Sequence, residues 1–148
     1  MYQDPNFVTL YRYENPSVSY DEGREGIISK QALICGWFTD NLNDLRTYIK
    51  MRHPGGRIVV IRVPRDRLET YDARKNEETK EMDTEPGNFV VPQEEQAATR
   101  IEIPFPVESS APKKFLMSDF GRIDAFIEQE LTSERLIEKA GSQQRSPL

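Results

Sequence analysis

The chain of 148 residues has one cysteine, Cys35, and one histidine, His53. A lone thiol forms no intrachain disulfide, and a single imidazole beside it leaves the usual cysteine–histidine zinc sites without ligands. Cys35 follows Ala32, Leu33 and Ile34 with no base close to it in sequence, so it reads as a small core residue rather than a nucleophile. No apolar run approaches the roughly 20 residues that span a bilayer, and Met1 to Pro5 lacks the basic and apolar regions of a signal peptide. A cytoplasmic protein without a membrane partner is expected. Neither GxGxxG nor a Walker pattern is present, and no repeat is visible.

Hydrophobic residues make up 36% and charged residues 30% of the chain. A chain of this length buries roughly two thirds of its unfolded surface, enough for one domain with an economical core. The domain is expected over residues 1–140, with 141–148 as a frayed tail. The net charge of −5 sits in one place, because residues 72–95 hold eight carboxylates against three cations. Residues 42–71 hold seven basic side chains against three acidic ones. No nucleic-acid motif accompanies that basic stretch, and Arg46 and Lys50 fall on the solvated face of a helix, so nucleic acid is not an expected partner.

The most informative stretch is Gly36-Trp37-Phe38-Thr39-Asp40, together with the residues from Asn41 to Pro64. The pentapeptide delivers two aromatics onto a strand or strand end, leaving Asp40 or Asn41 to cap a helix. In that helix Leu42, Leu45, Tyr48 and Ile49 share a stripe, which assigns Tyr48 to the core. His53-Pro54-Gly55-Gly56 ends it, and His53 falls at the helix C-terminus, where its partial charge is favourable. Residues 58–63 then run almost wholly β-branched, the pattern of a strand covered on both faces.

Upstream, residues 7–13 alternate: Val8, Leu10 and Arg12 on one side, Phe7, Thr9, Tyr11 and Tyr13 on the other. Residues 15–26 form a polar loop, and 27–35 a short helix. Downstream, 65–71 gives a helical turn, 72–85 an acidic loop, Pro86-Gly87 a turn, 88–92 a strand, 93–98 a short helix and 100–105 a strand with one wet face. After a loop over 106–112, Ser118 is placed to cap a helix with Phe120, Ile123, Ile127 and Leu131 inward. A last helix over 133–140 is closed by Gly141. Strands and helices do not alternate regularly, so the fold class is α+β: a mixed, mainly antiparallel sheet with helices packed around it.

Leu10-Tyr11-Arg12, Gly36-Trp37-Phe38-Thr39 and Asn88-Phe89-Val90-Val91-Pro92, in that order, resemble the motifs of the ADP-ribosyltransferase fold, in particular its small bacterial members. The resemblance covers the first two thirds of the chain. It implies a cleft that binds NAD, with Arg12 on the diphosphate or ribose, Thr39 supporting the nicotinamide site and Trp37 or Phe38 as a ring wall. Arginine suits phosphate because its planar fork bonds two oxygens at once. The family's late-strand glutamate, which steadies an oxocarbenium-like state, is replaced here by Asn88, able to bond a ribose but not to supply charge.

Glu85 lies three residues before Asn88 and Glu94 six after it, and Glu85 is assigned the catalytic role through a bend at Pro86-Gly87. Two functions are then open. One is an NAD-dependent transferase that takes a nucleotide-type small molecule and moves ADP-ribose to an acceptor left open between a protein target, nucleic acid and water. The other is a non-catalytic binding or interaction module that kept the architecture and lost the glutamate, its acidic 72–85 segment serving as a partner surface. Simpler roles stand beside these: Arg12 as a strand-end ion pair with Asp40 or Glu14, Trp37 and Phe38 as core, and Thr39 as a helix starter. The NAD reading requires Arg12 and Thr39 to converge on one pocket.

Overall fold

A computed structural model of the chain describes residues 5–15, 36–75, 86–109 and 114–144. The expected helix over 27–35, Cys35, Glu85 and the acidic stretch from 76 to 85 lie outside them. The elements are β1 (Phe7–Glu14), β2 (Gly36–Thr39), α1 (Leu42–Lys50), β3 (Arg57–Pro64), α2 (Leu68–Tyr71), β4 (Asn88–Val91), α3 (Gln93–Ala97), β5 (Ile101–Pro104), α4 (Phe120–Glu130) and α5 (Ser133–Gln144). The five strands form one sheet in the order β4-β2-β1-β3-β5, with every neighbouring pair antiparallel. The protein is therefore mixed α+β, as the element pattern implies.

β3 is enclosed because its run of Ile58, Val59, Val60 and Ile61 offers no wet face, and all four are fully buried. Its ladder with β1 runs without a bulge from Phe7 opposite Pro64 to Glu14 opposite Arg57. On one face Tyr13, Ile58, Val60, Ile101 and Ile103 pack under Leu45 and Ile49 of α1, Ile123 and Ile127 of α4 and Leu136 of α5. On the other, Leu10, Phe38, Val59, Ile61, Val63, Phe89 and Val91 pack with Leu68 and Tyr71 of α2. α1 lies over β1 and β2, α4 beside it, and α5 beyond α4 against β5. None of the helices among the described residues is long and apolar enough to cross a membrane.

The rims of the sheet differ. Asp72 forms an isolated bridge to Phe89 on β4. On β5 the amide of Phe105 donates inward to Gly56, so by alternation Glu102 and Pro104 turn their backbones outward, and proline has no N–H to offer.

Asn41 caps α1, its Oδ1 accepting from the amides of Asn43 at 2.8 Å and Asp44 at 3.1 Å. Three expectations are corrected. Tyr48 is 42% exposed rather than core, since it stands on the edge of the stripe that Leu45 and Ile49 bury. Ser118 does not cap α4. The turn before that helix is organised by Asp119, 1% exposed, whose carboxylate accepts from the Leu116 amide at 2.8 Å, the Ser109 hydroxyl at 3.1 Å and Arg122. Finally, Gly141 does not close α5, which runs on to Gln144. A glycine costs a helix interior only about 1 kcal/mol, too little to stop it without the left-handed cap that would replace the lost bonds.

Candidate functional site

Strand register decides which predicted residues meet. Tyr11 lies opposite Thr39, and directly paired residues of a pleated sheet point to the same face. Thr39 therefore shares the α1 face with Tyr11. Across the next ladder Trp37 pairs with Val90 and Thr39 with Asn88, which adds Trp37 and Asn88 to that face. Arg12 lies opposite Val59 and belongs to the other face, with Leu10 and Phe38. The pocket expected between Arg12 and Thr39 is not formed, because the sheet itself stands between them.

The residues on the α1 face hold one another. The indole N–H of Trp37 donates to Oδ1 of Asn88 at 3.2 Å, and the ring packs on Ala73 and Val90. Thr39 is 8% exposed, and its hydroxyl accepts from the Asn41 amide at 3.2 Å, which helps to start α1. Phe38 is wholly buried and is core, not a ring wall. Of the residues assigned to the nucleotide site, the fold thus gathers Trp37, Thr39 and Asn88 and separates Arg12 and Phe38 from them. Glu94 is exposed in the first turn of α3.

Arg12 is engaged where it stands. Its Nε lies 3.2 Å from Oε2 of Glu14, and its Nη1 donates to the Trp37 carbonyl at 3.4 Å. Glu14 also meets Arg57 at 3.1 Å and Arg100 at 2.8 Å. Burial pushes the Glu14 carboxyl up, but hydrogen bonds and charge from Arg100, with Arg12 and Arg57, outweigh it and hold the group below its ordinary value.

Two features escape the sequence. At the end of the β2–β4 ladder the Asp40 amide donates to the Gly87 carbonyl at 3.1 Å. A Cβ on Gly87, whose φ is +91°, would stand 2.8 Å from Oδ1 of Asp40, so only glycine fits there. Burial first, and then the Asp44 charge, raise the Asp40 carboxyl. Burial and the Asp40 charge also raise the Tyr11 phenol.

The second feature is a stack on α1, with the Arg52 guanidinium carbon 4.1 Å from the centre of the Tyr48 ring. Positions 46 and 50 and position 48 lie on opposite sides of the stripe through Leu45 and Ile49. Lys50 points to α4, bonding Asp124 at 3.0 Å, so Tyr48 occupies the flank turned away from α4, with Arg52, just past the helix end, stacked on it. The i, i+4 spacing of a tyrosine and an arginine was the signal available in the sequence. Among the described residues no cluster of side chains suited to a metal ion is present.

Neither protein-family models nor curated proteins nor solved structures give a match to this chain.

Proposed function

We propose that the protein is a non-catalytic binding module of ADP-ribosyltransferase-like architecture, with its ligand surface on the α1 face around Trp37, Thr39 and Asn88. The observation that carries this reading is the position of Arg12, which lies across the sheet from Thr39 and is bound to Glu14. A diphosphate held by Arg12 could not also place its nicotinamide ribose beside Thr39. Asn88 adds to the argument, since its amide oxygen is taken by the Trp37 indole and its side chain carries no charge to steady an oxocarbenium-like state.

The test is incubation with NAD and measurement of nicotinamide release. No release is expected, with Glu85→Ala indistinguishable from the unmodified chain. Turnover that disappears in Glu85→Ala overturns the reading and favours the second one, an NAD-dependent ADP-ribosyltransferase with Glu85 as the acid. That alternative draws its support from the placement of Trp37, Thr39 and Asn88 on one face.

A further inference from the structure

We infer that the end of α1 and the turn leading into α4 form a docking surface for an acidic segment of another protein, one that carries apolar side chains between carboxylates. This surface is additional to the one proposed around Trp37, Thr39 and Asn88, and either can exist without the other.

The first observation is where apolar side chains are left exposed. Lone apolar residues on a surface are ordinary. Here the large ones exposed among the described residues are Tyr48, Met51 at 73%, Leu116 and Met117 at 83%, and all four fall at one end of one helix pair. Helices α1 and α4 run antiparallel. Lys50 bonds Asp124 at 3.0 Å with its Nζ 5.2 Å from the centre of the Phe120 ring, while Arg46, a turn earlier on α1, lines a groove with Asp124 and Glu128. Tyr48 and Met51 close α1, and Leu116 and Met117 lie in the turn before α4, so the end of one helix lies beside the start of the other.

The second is the kind of side chain. Methionine is unbranched and soft, so it adapts to the shape of a partner, and tyrosine, methionine and arginine are the types enriched where proteins meet. Arg52 stacks on Tyr48, its guanidinium carbon 4.1 Å from the ring centre, which orders both side chains before a partner arrives. Such prior ordering lowers the cost of binding.

The third is charge, which selects the partner. Asp124 is taken by Lys50 and Arg46, and the buried Asp119 by Arg122. Arg52 and Lys114 take part in no ion pair among the described residues, and the carboxylate of Glu108, whose charge reaches Tyr13, offsets only one of them. This end therefore keeps a positive excess on a chain whose net charge is −5, so a partner's carboxylates are drawn here and repelled elsewhere. An anionic membrane asks for more, since lipid-binding surfaces carry clusters of about 4–8 Lys or Arg.

Met51 and Met117 are two of the chain's four methionines, so their isotope-labelled methyl groups report on the surface by NMR. Titration with a synthetic amphipathic peptide of leucine and glutamate should shift both signals saturably, and added salt should weaken the binding. Met117→Ser and Arg52→Met should each reduce the affinity about tenfold, and so should lysine in place of glutamate in the peptide. Thermal melting of each variant establishes that it folds. No shift of either signal up to about 1 mM peptide, or equal binding of the glutamate and lysine peptides, overturns the proposal. Sedimentation that shows a dimer lost in Met117→Ser assigns the surface to a second copy of the chain, and binding to phosphatidylserine vesicles that is lost in the same variant assigns it to a membrane; either result replaces the partner segment. Nicotinamide release decides the binding-module reading independently.

Discussion

The phenolic oxygen of Tyr13 accepts a hydrogen bond from the amide of Gly56 at 2.9 Å, and the same hydroxyl donates to the carbonyl of His53 at 2.7 Å. One side chain from β1 thereby ties down the turn that ends α1 and begins β3. The approach is close enough that a Cβ on Gly56 would lie 2.3 Å from Cζ of Tyr13 and 2.6 Å from the Glu14 carbonyl. Gly56→Ala is therefore expected to destabilise the fold by about 1–3 kcal/mol through overpacking, read as a lower midpoint in urea. Gly55 gives a separate comparison, because a Cβ there would meet nothing within 4 Å while φ is +95°. Alanine at that position suffers from backbone strain alone.

The same phenol predicts an alkaline limit. Burial, offset in part by the Gly56 hydrogen bond, pushes Tyr13 from its ordinary value up to about 12. A folded-state value above the unfolded one means that stability is intact below about pH 10 and is lost as pH rises through the folded value. Tyr13→Phe should be less stable near neutrality, by about 1–3 kcal/mol for the Gly56 amide left unpaired, the His53 carbonyl keeping its bond from Asn15. Its disadvantage should shrink as the pH climbs. Denaturant unfolding of both chains across the alkaline range checks this, and a constant difference between them would contradict it.

Glu14 gives the acid counterpart. Its carboxyl is held below its ordinary value despite burial because three arginines converge on it. Its stabilising effect is present above the unfolded pKa and disappears as pH falls through the lower folded one. Glu14→Gln should cost about 1–3 kcal/mol at neutral pH and almost nothing once the native carboxyl is itself protonated. The measurement is the difference in melting temperature between the two chains as pH is lowered.

At the start of α4 the structure distinguishes two neighbouring side chains. Asp119→Ala removes the acceptor for Leu116, Ser109 and Arg122 from a buried position, and a loss of about 1–3 kcal/mol is expected. Ser118→Ala should stay within about 0.5 kcal/mol. Comparable losses in both variants would show that the serine takes part in the turn.

Much of the fold was legible because it depends on local pattern. The β-branched run of β3 requires cover on both faces, and alternation in β1 places Arg12 with Val8 and Leu10, away from Tyr11, as the register bears out. The failure at the candidate site came from a relation that alternation cannot supply, namely which residue of β2 faces which residue of β1. Thr39 opposite Tyr11 sends its side chain to the α1 face; a shift of one position would have sent it to Arg12. Tyr48 is exposed for a similar reason. Its position on the edge of the helix stripe was visible, but whether anything covers that edge depends on where α4 packs, and α4 lies on the other flank.

The two rims of the sheet bear on how copies of this chain meet. A strand arriving from a neighbour at β5 finds Pro104 where a donor is needed and the Glu102 carboxylate alongside, while at β4 the position of Phe89 is already bridged by Asp72. Both devices discourage rim-to-rim zippering, so crowding should leave the sheets as separate particles rather than drawing them into a continuous ribbon.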